Sequence, residues 1–265
     1  MKTQTIVITG SGSGLGKMAA IALAKRGHLV YATTHYIEEA NELNNYAAEY
    51  SLPMKAFKLD ILLEKDRNKL KDMEFDILIN NAAIGDSGSV SEINVDRFKN
   101  VFETNVFSNI KITQIAIQNF VKQKHGRIIF LSSLAGRITI PFLSPYTASK
   151  FAIEAFSISL RKELKKLDGI NIQVCIIEPG AYATGFNKEN NDKKYSWMKQ
   201  HSYFKYKLEE LHIQEEKKWN FIESKNFNSI VKKYIKAVEV KKVKKRYSAP
   251  FIQSFLIQLG RILGM

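Results

Sequence analysis

Residues 5–16 read Thr5-Ile6-Val7-Ile8-Thr9-Gly10-Ser11-Gly12-Ser13-Gly14-Leu15-Gly16. The first five residues, rich in β-branched side chains, have the pattern of a buried strand. From Leu15 to residue 25 the apolar residues Ala19, Ala20, Leu23 and Ala24 fall on one helical face. Glycines between a strand and a helix let the backbone turn tightly and approach a ligand. The helix N-terminus that follows offers free N–H groups and a partial positive charge. A glycine-rich loop alone is a weak signal. Between the first strand and first helix of a βαβ unit it points to a dinucleotide. The competing reading is a flexible strand–helix turn with no ligand.

Outward from this loop the alternation continues. Strand patterns lie at 29–33, 54–59, 76–80, 126–131 and 170–177. Helical patterns lie at 38–49, 64–70, 95–103, 106–121 and 145–164, the last with Pro145 suited to its first turn. Strands alternating with helices predict an α/β fold: a single Rossmann-type doubly wound parallel sheet with helices on both faces. No repeat or low-complexity linker interrupts it, so one dinucleotide-binding and catalytic domain is expected over 1–265. Its variable, substrate-binding segment would be about 186–265. That segment is rich in Lys, Glu and aromatics with weak helical patterning up to 227. A helix near 227–240, a short strand around Tyr247 and an apolar tail at 251–263 complete it.

Composition narrows the function classes. Hydrophobic residues make up 45% and charged residues 25% of 265 residues, ordinary for a soluble globular protein. The lone Cys175 excludes an internal disulfide and a cysteine metal cluster, and no metal site is expected. No charged leader and apolar core precede the first strand, and no run of 18 apolar residues occurs, so a cytoplasmic location is the expectation. The net charge of +14 raises nucleic acid or an anionic membrane as partners. Between 188 and 246 there are 17 Lys plus Arg against 8 Asp plus Glu, but acidic residues are interspersed, as on a solvated surface. No nucleic-acid partner is expected.

A second short stretch, Tyr146-Thr147-Ala148-Ser149-Lys150, sets a phenol and an ammonium four residues apart on a predicted helix. Residues so spaced share a face and reach one cleft. A Tyr with a pKa near 10 is a poor base at neutral pH, and a neighbouring ammonium lowers that value. The alternative is ordinary helix packing and a solvated lysine.

The order and intervals of these motifs resemble the short-chain dehydrogenase/reductase family over about residues 3–185. The loop spacing is T-G-x-x-x-G-x-G; Asn80-Asn81-Ala82-Ala83 follows the fourth strand; Ser133 precedes Tyr146 by thirteen residues; Pro179-Gly180 closes the sixth strand. The resemblance is with the steroid- and retinoid-dehydrogenase-like members. It implies that Tyr146 exchanges a proton with the substrate oxygen. Lys150 would hold the nicotinamide ribose and lower the Tyr146 pKa, Ser133 would hydrogen-bond the substrate, and Asn105 would hold a water linking Lys150 to solvent. It further implies cofactor contacts by Gly10, Ser11, Ser13, Gly14, Leu15, Gly16, Asp60, Ile61, Asn81, Ala82, Tyr146, Lys150, Pro179, Gly180 and Thr184. Ala83 departs from the family's glycine.

The second strand ends Thr33-Thr34-His35, with Thr34 where a carboxylate would bind the ribose 2′-hydroxyl of NAD and repel a 2′-phosphate. Thr34 and His35 as donors to phosphate favour NADP over NAD. The expected chemistry is interconversion of a ketone or aldehyde with an alcohol. The pocket would be apolar, lined by Leu134, Phe142, Leu143, Ala181, Tyr182, Phe186 and aromatics from 195 to 206. A non-catalytic nucleotide-binding regulator and a basic surface-interaction protein are the competing classes. A homodimer or homotetramer is expected. In the tail, Phe251, Ile252, Phe255, Leu256, Leu259, Ile262 and Leu263 form a helical stripe, with Ile257 widening it and the basic run 241–246 upstream. The stripe would pack on the domain or a second subunit; the rival reading is peripheral contact with an anionic membrane.

Overall fold

A computed structural model of the chain describes residues 2–263, so the two ends of the expected 1–265 domain, Met1 and residues 264–265, lie outside the described residues. The core element is a seven-stranded, all-parallel sheet in the order β3-β2-β1-β4-β5-β6-β7. The strands are β1 (Thr5–Ile8), β2 (Leu29–Thr34), β3 (Met54–Lys58), β4 (Ile77–Asn80), β5 (His125–Leu131), β6 (Asn171–Pro179) and β7 (Arg246–Ala249). Helices cover both faces, as a parallel sheet requires, and the central strands are accordingly apolar on both sides. Ile6, Val7 and Ile8 are all fully buried, with Ile6 and Ile8 in one core cluster and Val7 in the other.

The helices are α1 (Gly14–Lys25), α2 (Ile37–Glu49), α3 (Glu64–Arg67), α4 (Val95–Phe102), α5 (Asn109–Gln123), α6 (Ser144–Leu164), α7 (Phe186–His201), α8 (Leu208–Ile222), α9 (Asn228–Glu239) and α10 (Phe251–Ile262). On α1 the small side chains Ala19, Ala20 and Ala24 let the helix lie close to the sheet, with Leu23 filling between them. The helical patterns at 95–103 and 106–121 are joined without a break by a π-helical segment at Glu103–Ser108. The weakly patterned stretch after 187 holds two full helices, α7 and α8. Their apolar residues Tyr195, Met198 and Leu208 make a separate small core with Phe142, Trp197 and Phe204, which explains why neither helix shows one clean apolar stripe.

Strand order reverses between β1 and β4, which neighbour each other although β2 and β3 intervene in sequence. The loops that leave these two strands therefore part in opposite directions and open a crevice at their C-terminal ends, where open α/β sheets bind ligands. No described helix is long and apolar enough to cross a membrane.

Candidate active site

The glycine loop sits at this switch point. Gly10 has φ of +65°, and a Cβ there would stand 2.7 Å from Ala82 Cα. A Cβ on Gly16 would lie 2.2 Å from the Gly10 carbonyl oxygen. The loop is thus folded against itself and the end of β4, with no room for a side chain at Gly10 or Gly16. Ser13 is the residue before α1, and its side chain makes no capping bond, so the first N–H groups of α1 keep their donors for a ligand. Asn81 clamps the loop: its Nδ2 donates to the carbonyls of Thr9 and Gly10, both at 2.9 Å, and its Oδ1 accepts from Tyr234 of α9 at 2.9 Å. A bare, donor-rich cradle of this kind fits a dinucleotide pyrophosphate.

From the cradle a cavity of about 920 Å³ runs along the strand ends to α6, large enough for a dinucleotide's length with a smaller molecule beside it. Gly10, Ser13, Gly14, Leu15, Gly16, His35, Asp60, Ile61, Asn81 and Ala82 line it, as do Ser133, Tyr146, Lys150, Pro179, Gly180 and Thr184. Three predicted residues do not. Ser11 is buried, and its hydroxyl donates to the Ile8 carbonyl at 3.1 Å. Asn105 lies one layer behind the wall, and Thr34 faces the core.

Tyr146 and Lys150 occupy successive turns of α6, with the Lys150 Nζ 5.4 Å from the Tyr146 ring centroid. Lys150 is held by a 2.9 Å bond to the Leu131 carbonyl at the end of β5. Burial pushes its ammonium down to about 7, and the nearby Glu154 carboxylate opposes that shift. Burial pushes the Tyr146 phenol up to about 12, against a hydrogen bond with Ser133 that favours the phenolate. Ser133 also contacts the Pro179 carbonyl at 3.3 Å and accepts from Ala135 N at 3.1 Å. Tyr146, Ser133 and Lys150 therefore meet at one point although they come from a helix and the loop after a strand. Asn105 belongs to the π-helical segment. Its Oδ1 accepts from Ile84 N at 2.8 Å, and its Nδ2 donates to Ile84 O at 2.9 Å and to Ser149 Oγ at 3.0 Å. Through these bonds its side chain fixes the 81–85 loop against α6.

At the other end, Thr34 corrects the sequence reading. It is fully buried, and its hydroxyl donates to the Tyr36 carbonyl at 2.7 Å, so it meets no ligand. His35 points outward onto the cavity, its Nδ1 3.8 Å from Asp60 Oδ2. Sequence reasoning missed Glu39. Its carboxylate accepts from Tyr36 N at 3.2 Å and lies over the phosphate loop, where a Cβ on Gly12 would be 2.2 Å from its Cδ. The signal was present in the chain: Glu39 is the third residue of α2, where a capping carboxylate reaches back over the helix start.

The substrate end is lined by Leu134, Leu143, Ala181, Tyr182 and Phe186 as expected. Phe142 and the aromatics from 195 to 206 do not line it: Phe142, Tyr195, Trp197 and Phe204 pack in or against the α7–α8 core, while Tyr203 and Tyr206 face solvent. The wall is completed instead by Ile138, Ile140, Trp219, Ile222 and Ile257, the last two from the ends of α8 and from α10. Gln253 ties these pieces together. Its Oε1 accepts from Ala181 N at 2.8 Å and its Nε2 donates to Ile222 O at 2.7 Å.

Behind Lys150 lies a buried ionic group that no local sequence motif announces. Arg246 of β7 bonds Glu154 at 2.7 Å and Glu178 at 3.0 Å, and Arg137 stands 3.7 Å from Glu178. Burial raises the Glu178 carboxyl, offset in part by its bond from Ser248 and by the two arginines.

With this geometry the comparisons with known proteins agree. The family model for short chain dehydrogenase matches residues 4–195. The chain is 34% identical over 200 residues to the probable short-chain type dehydrogenase/reductase VdlC of Helicobacter pylori, covering 71% of this chain and 69% of that protein. It is 31% identical over 194 residues to a 3-ketodihydrosphingosine reductase of Bacteroides thetaiotaomicron, covering 72% and 68%. A short-chain dehydrogenase/reductase of Burkholderia phymatum, solved with NAD, superposes with a TM-score of 0.81 over 97% of this chain and 92% of its own, at 17% identity, and so shares the fold.

Proposed function

The chain belongs to the short-chain dehydrogenase/reductase family, whose members interconvert carbonyls and alcohols with NAD(P), and from that premise we propose an NADP-preferring reductase of a hydrophobic ketone or aldehyde. The observation that carries the reading is the meeting of Tyr146, Ser133 and Lys150 at the apolar end of a cavity whose other end is the glycine cradle. The cofactor supplies the hydride. The chain's own part is binding, orientation and proton transfer. Ser133 and the Tyr146 hydroxyl donate to the substrate oxygen, and Tyr146 gives up its proton as negative charge grows there. The Lys150 ammonium, so close to the phenol, stabilises the phenolate left behind. Lys150 also reaches the nicotinamide ribose, and Gly14, Leu15 and Gly16 hold the pyrophosphate.

The preference for NADP rests on His35, exposed at the adenosine end, and on the absence of a carboxylate at the end of β2. An apolar wall from Leu134 to Ile257 supports a hydrophobic substrate, and the Bacteroides relative's named ketone is of that class. The same reading takes residues 1–265 as one catalytic unit with its variable segment at 186–265, working in the cytoplasm. The exposed Val95, Phe107 and Phe151 on and between α4 and α6 support a homo-oligomer. A panel of short- and long-chain carbonyls, followed by loss of reduced-nicotinamide absorbance with NADPH and with NADH, tests it. Faster reduction of the longer carbonyls with NADPH is expected. No turnover across the panel, or better turnover with NADH, overturns the corresponding part.

A further inference from the structure

α10 is docked inside out. The residues that hold it to the protein are polar: Gln253 bridges Ala181 and Ile222, and Gln258 bonds Arg137. Ile257, which on sequence widens the outer stripe, instead turns inward and lines the cavity. The seven residues of the predicted stripe all face solvent, Phe251 at 79% exposure and Ile252 and Ile262 at 71%. The patch extends to Phe221, 90% exposed at the end of α8, beside the Ile222 carbonyl that Gln253 holds. Single exposed apolar residues are ordinary, but a contiguous row of this size marks a contact surface.

Charge chooses the occupant. Lys217, Lys218 and Lys225 are exposed on and just after α8, around Phe221, and Arg261 is exposed on α10 itself. Of the nearby carboxylates, Glu216 stands 3.6 Å from His212 and Glu223 accepts from Asn187. The lysine run read from the sequence, 241–245, plays no part: it lies before β7, and that strand of about 13 Å separates it from α10. A second copy seated symmetrically on this face would bring two like-charged lysine rims into one interface, on chains that each carry +14. An anionic lipid surface complements both the apolar row and its cationic rim. At about 18 Å, the helix is too short to span a hydrocarbon core of about 30 Å, and so would lie in the interface plane.

We propose that α10, with Phe221 and the lysines of α8, docks the protein on an anionic membrane surface. Gln253, Ile257, Ile222 and Trp219 wall the cavity from behind this face, so docking sets the substrate end against lipid. A hydrophobic carbonyl then enters from the bilayer without crossing water, a consequence that rests on the reductase reading above.

The test is co-sedimentation of the full chain with phosphatidylcholine vesicles and with vesicles that also contain phosphatidylserine. The chain is expected to pellet with the anionic vesicles and to be released by salt. Phe255→Ser with Leu256→Ser removes two exposed side chains that make no part of the cavity. It should lower the partition coefficient by roughly 100-fold, while reduction of a short water-soluble ketone is unchanged. Lys217→Gln with Lys225→Gln should weaken binding to anionic vesicles alone. The proposal is overturned if the unaltered chain stays in the supernatant with both vesicles, or if the double serine variant pellets as well as the parent. It is equally overturned if light scattering shows a dimer that the serine variant splits, since the face is then a subunit contact. Pelleting as expected by a chain that reduces no carbonyl supports the docking and removes only the reductase reading.

Discussion

The two ends of the cleft are built by different means. At one end the side chains proposed to carry the proton transfer stand on a long helix: Tyr146, half-buried, and Lys150, buried, are one turn apart on α6, on the face that a four-residue spacing dictates. At the other end the side chains expected from the sequence to choose the cofactor stand on the last residues of a strand and the turn after it, where direction alternates with every residue. Thr34 goes into the core and His35 goes out to the cavity. A helix spacing therefore tells which groups meet, whereas a strand end tells it only once the register is known.

The sharpest way to break this contrast is Tyr146→Phe. The ring still packs, 5.3 Å from Phe186, and only the transferable proton is lost. Turnover should fall by roughly 10²- to 10⁴-fold with cofactor affinity nearly intact by titration. A variant that keeps most of its kcat would show that the helix face had been misread.

Under the proposed mechanism Lys150→Met should lower kcat nearly as far and also weaken cofactor binding, since one ammonium is assigned both to the phenolate and to the ribose. It carries a second signature. Burial holds the Lys150 ammonium at about 7, below its ordinary 10.5. Between those two values the unfolded chain binds a proton that the folded chain does not, so this group makes stability rise with pH across that window. Below about pH 7 both states are protonated and its slope disappears. Melting temperature measured from pH 7 to 10 should climb less steeply in Lys150→Met than in the parent. Equal slopes would mean that the folded ammonium titrates normally.

Thr34→Asp sharpens the other side. Read from sequence alone it is a switch from NADP to NAD. With Thr34 buried, the new carboxylate has no ligand to meet and displaces the bond to Tyr36. The structure predicts a loss of stability of several kcal/mol by denaturant unfolding, with the cofactor ratio unmoved in whatever folds. Glu39→Gln should have the smallest effect. It removes a negative charge lying over the phosphate loop and should raise kcat/KM for NADPH over NADH by about threefold, more at low salt. An unmoved ratio would take Glu39 out of cofactor selection.

These cases show where the sequence was legible. Periodicity of two and of 3.6 sufficed for the sheet and for the helices that pack on it, because Ile6 to Ile8 or Ala19 to Ala24 have one way to be buried. It failed for α7 and α8, whose apolar residues serve a small core shared with Phe142 rather than a single stripe. The tight glycine loop and the meeting of Ser133, Tyr146 and Lys150 in one cavity were readable because each motif carries its own local geometry. Gln253 and the Arg246–Glu154–Glu178 group were not, because each acts across the fold on a partner distant in sequence; Glu39 carries a local capping signal, but its place over the glycine loop is set by the fold. The tail was read correctly as amphipathic, but of the two packing partners the spacing allowed, its own domain or a second subunit, the domain takes Gln253, Ile257 and Gln258 and leaves the stripe exposed: spacing gives a face, and only the neighbours decide which way it turns.

The π-helical segment at Glu103–Ser108 has a consequence for insertions and deletions. A wide turn of this kind amounts to one surplus residue spliced into an otherwise regular helix. Here the surplus is what brings Asn105 round to the backbone of Ile84. Deleting one residue between 103 and 108 would restore ordinary helical winding and, because the wide turn absorbs the surplus residue, leave α5 on nearly its present face relative to α4. Ile112 and Ala116 would keep their places against the sheet, while the loop after β4 would lose its clamp. A deletion at this point should thus loosen the cleft and spare the core, whereas a Gly inserted two turns later in α5 would leave the Asn105 clamp in place and turn the rest of that helix by about 100°.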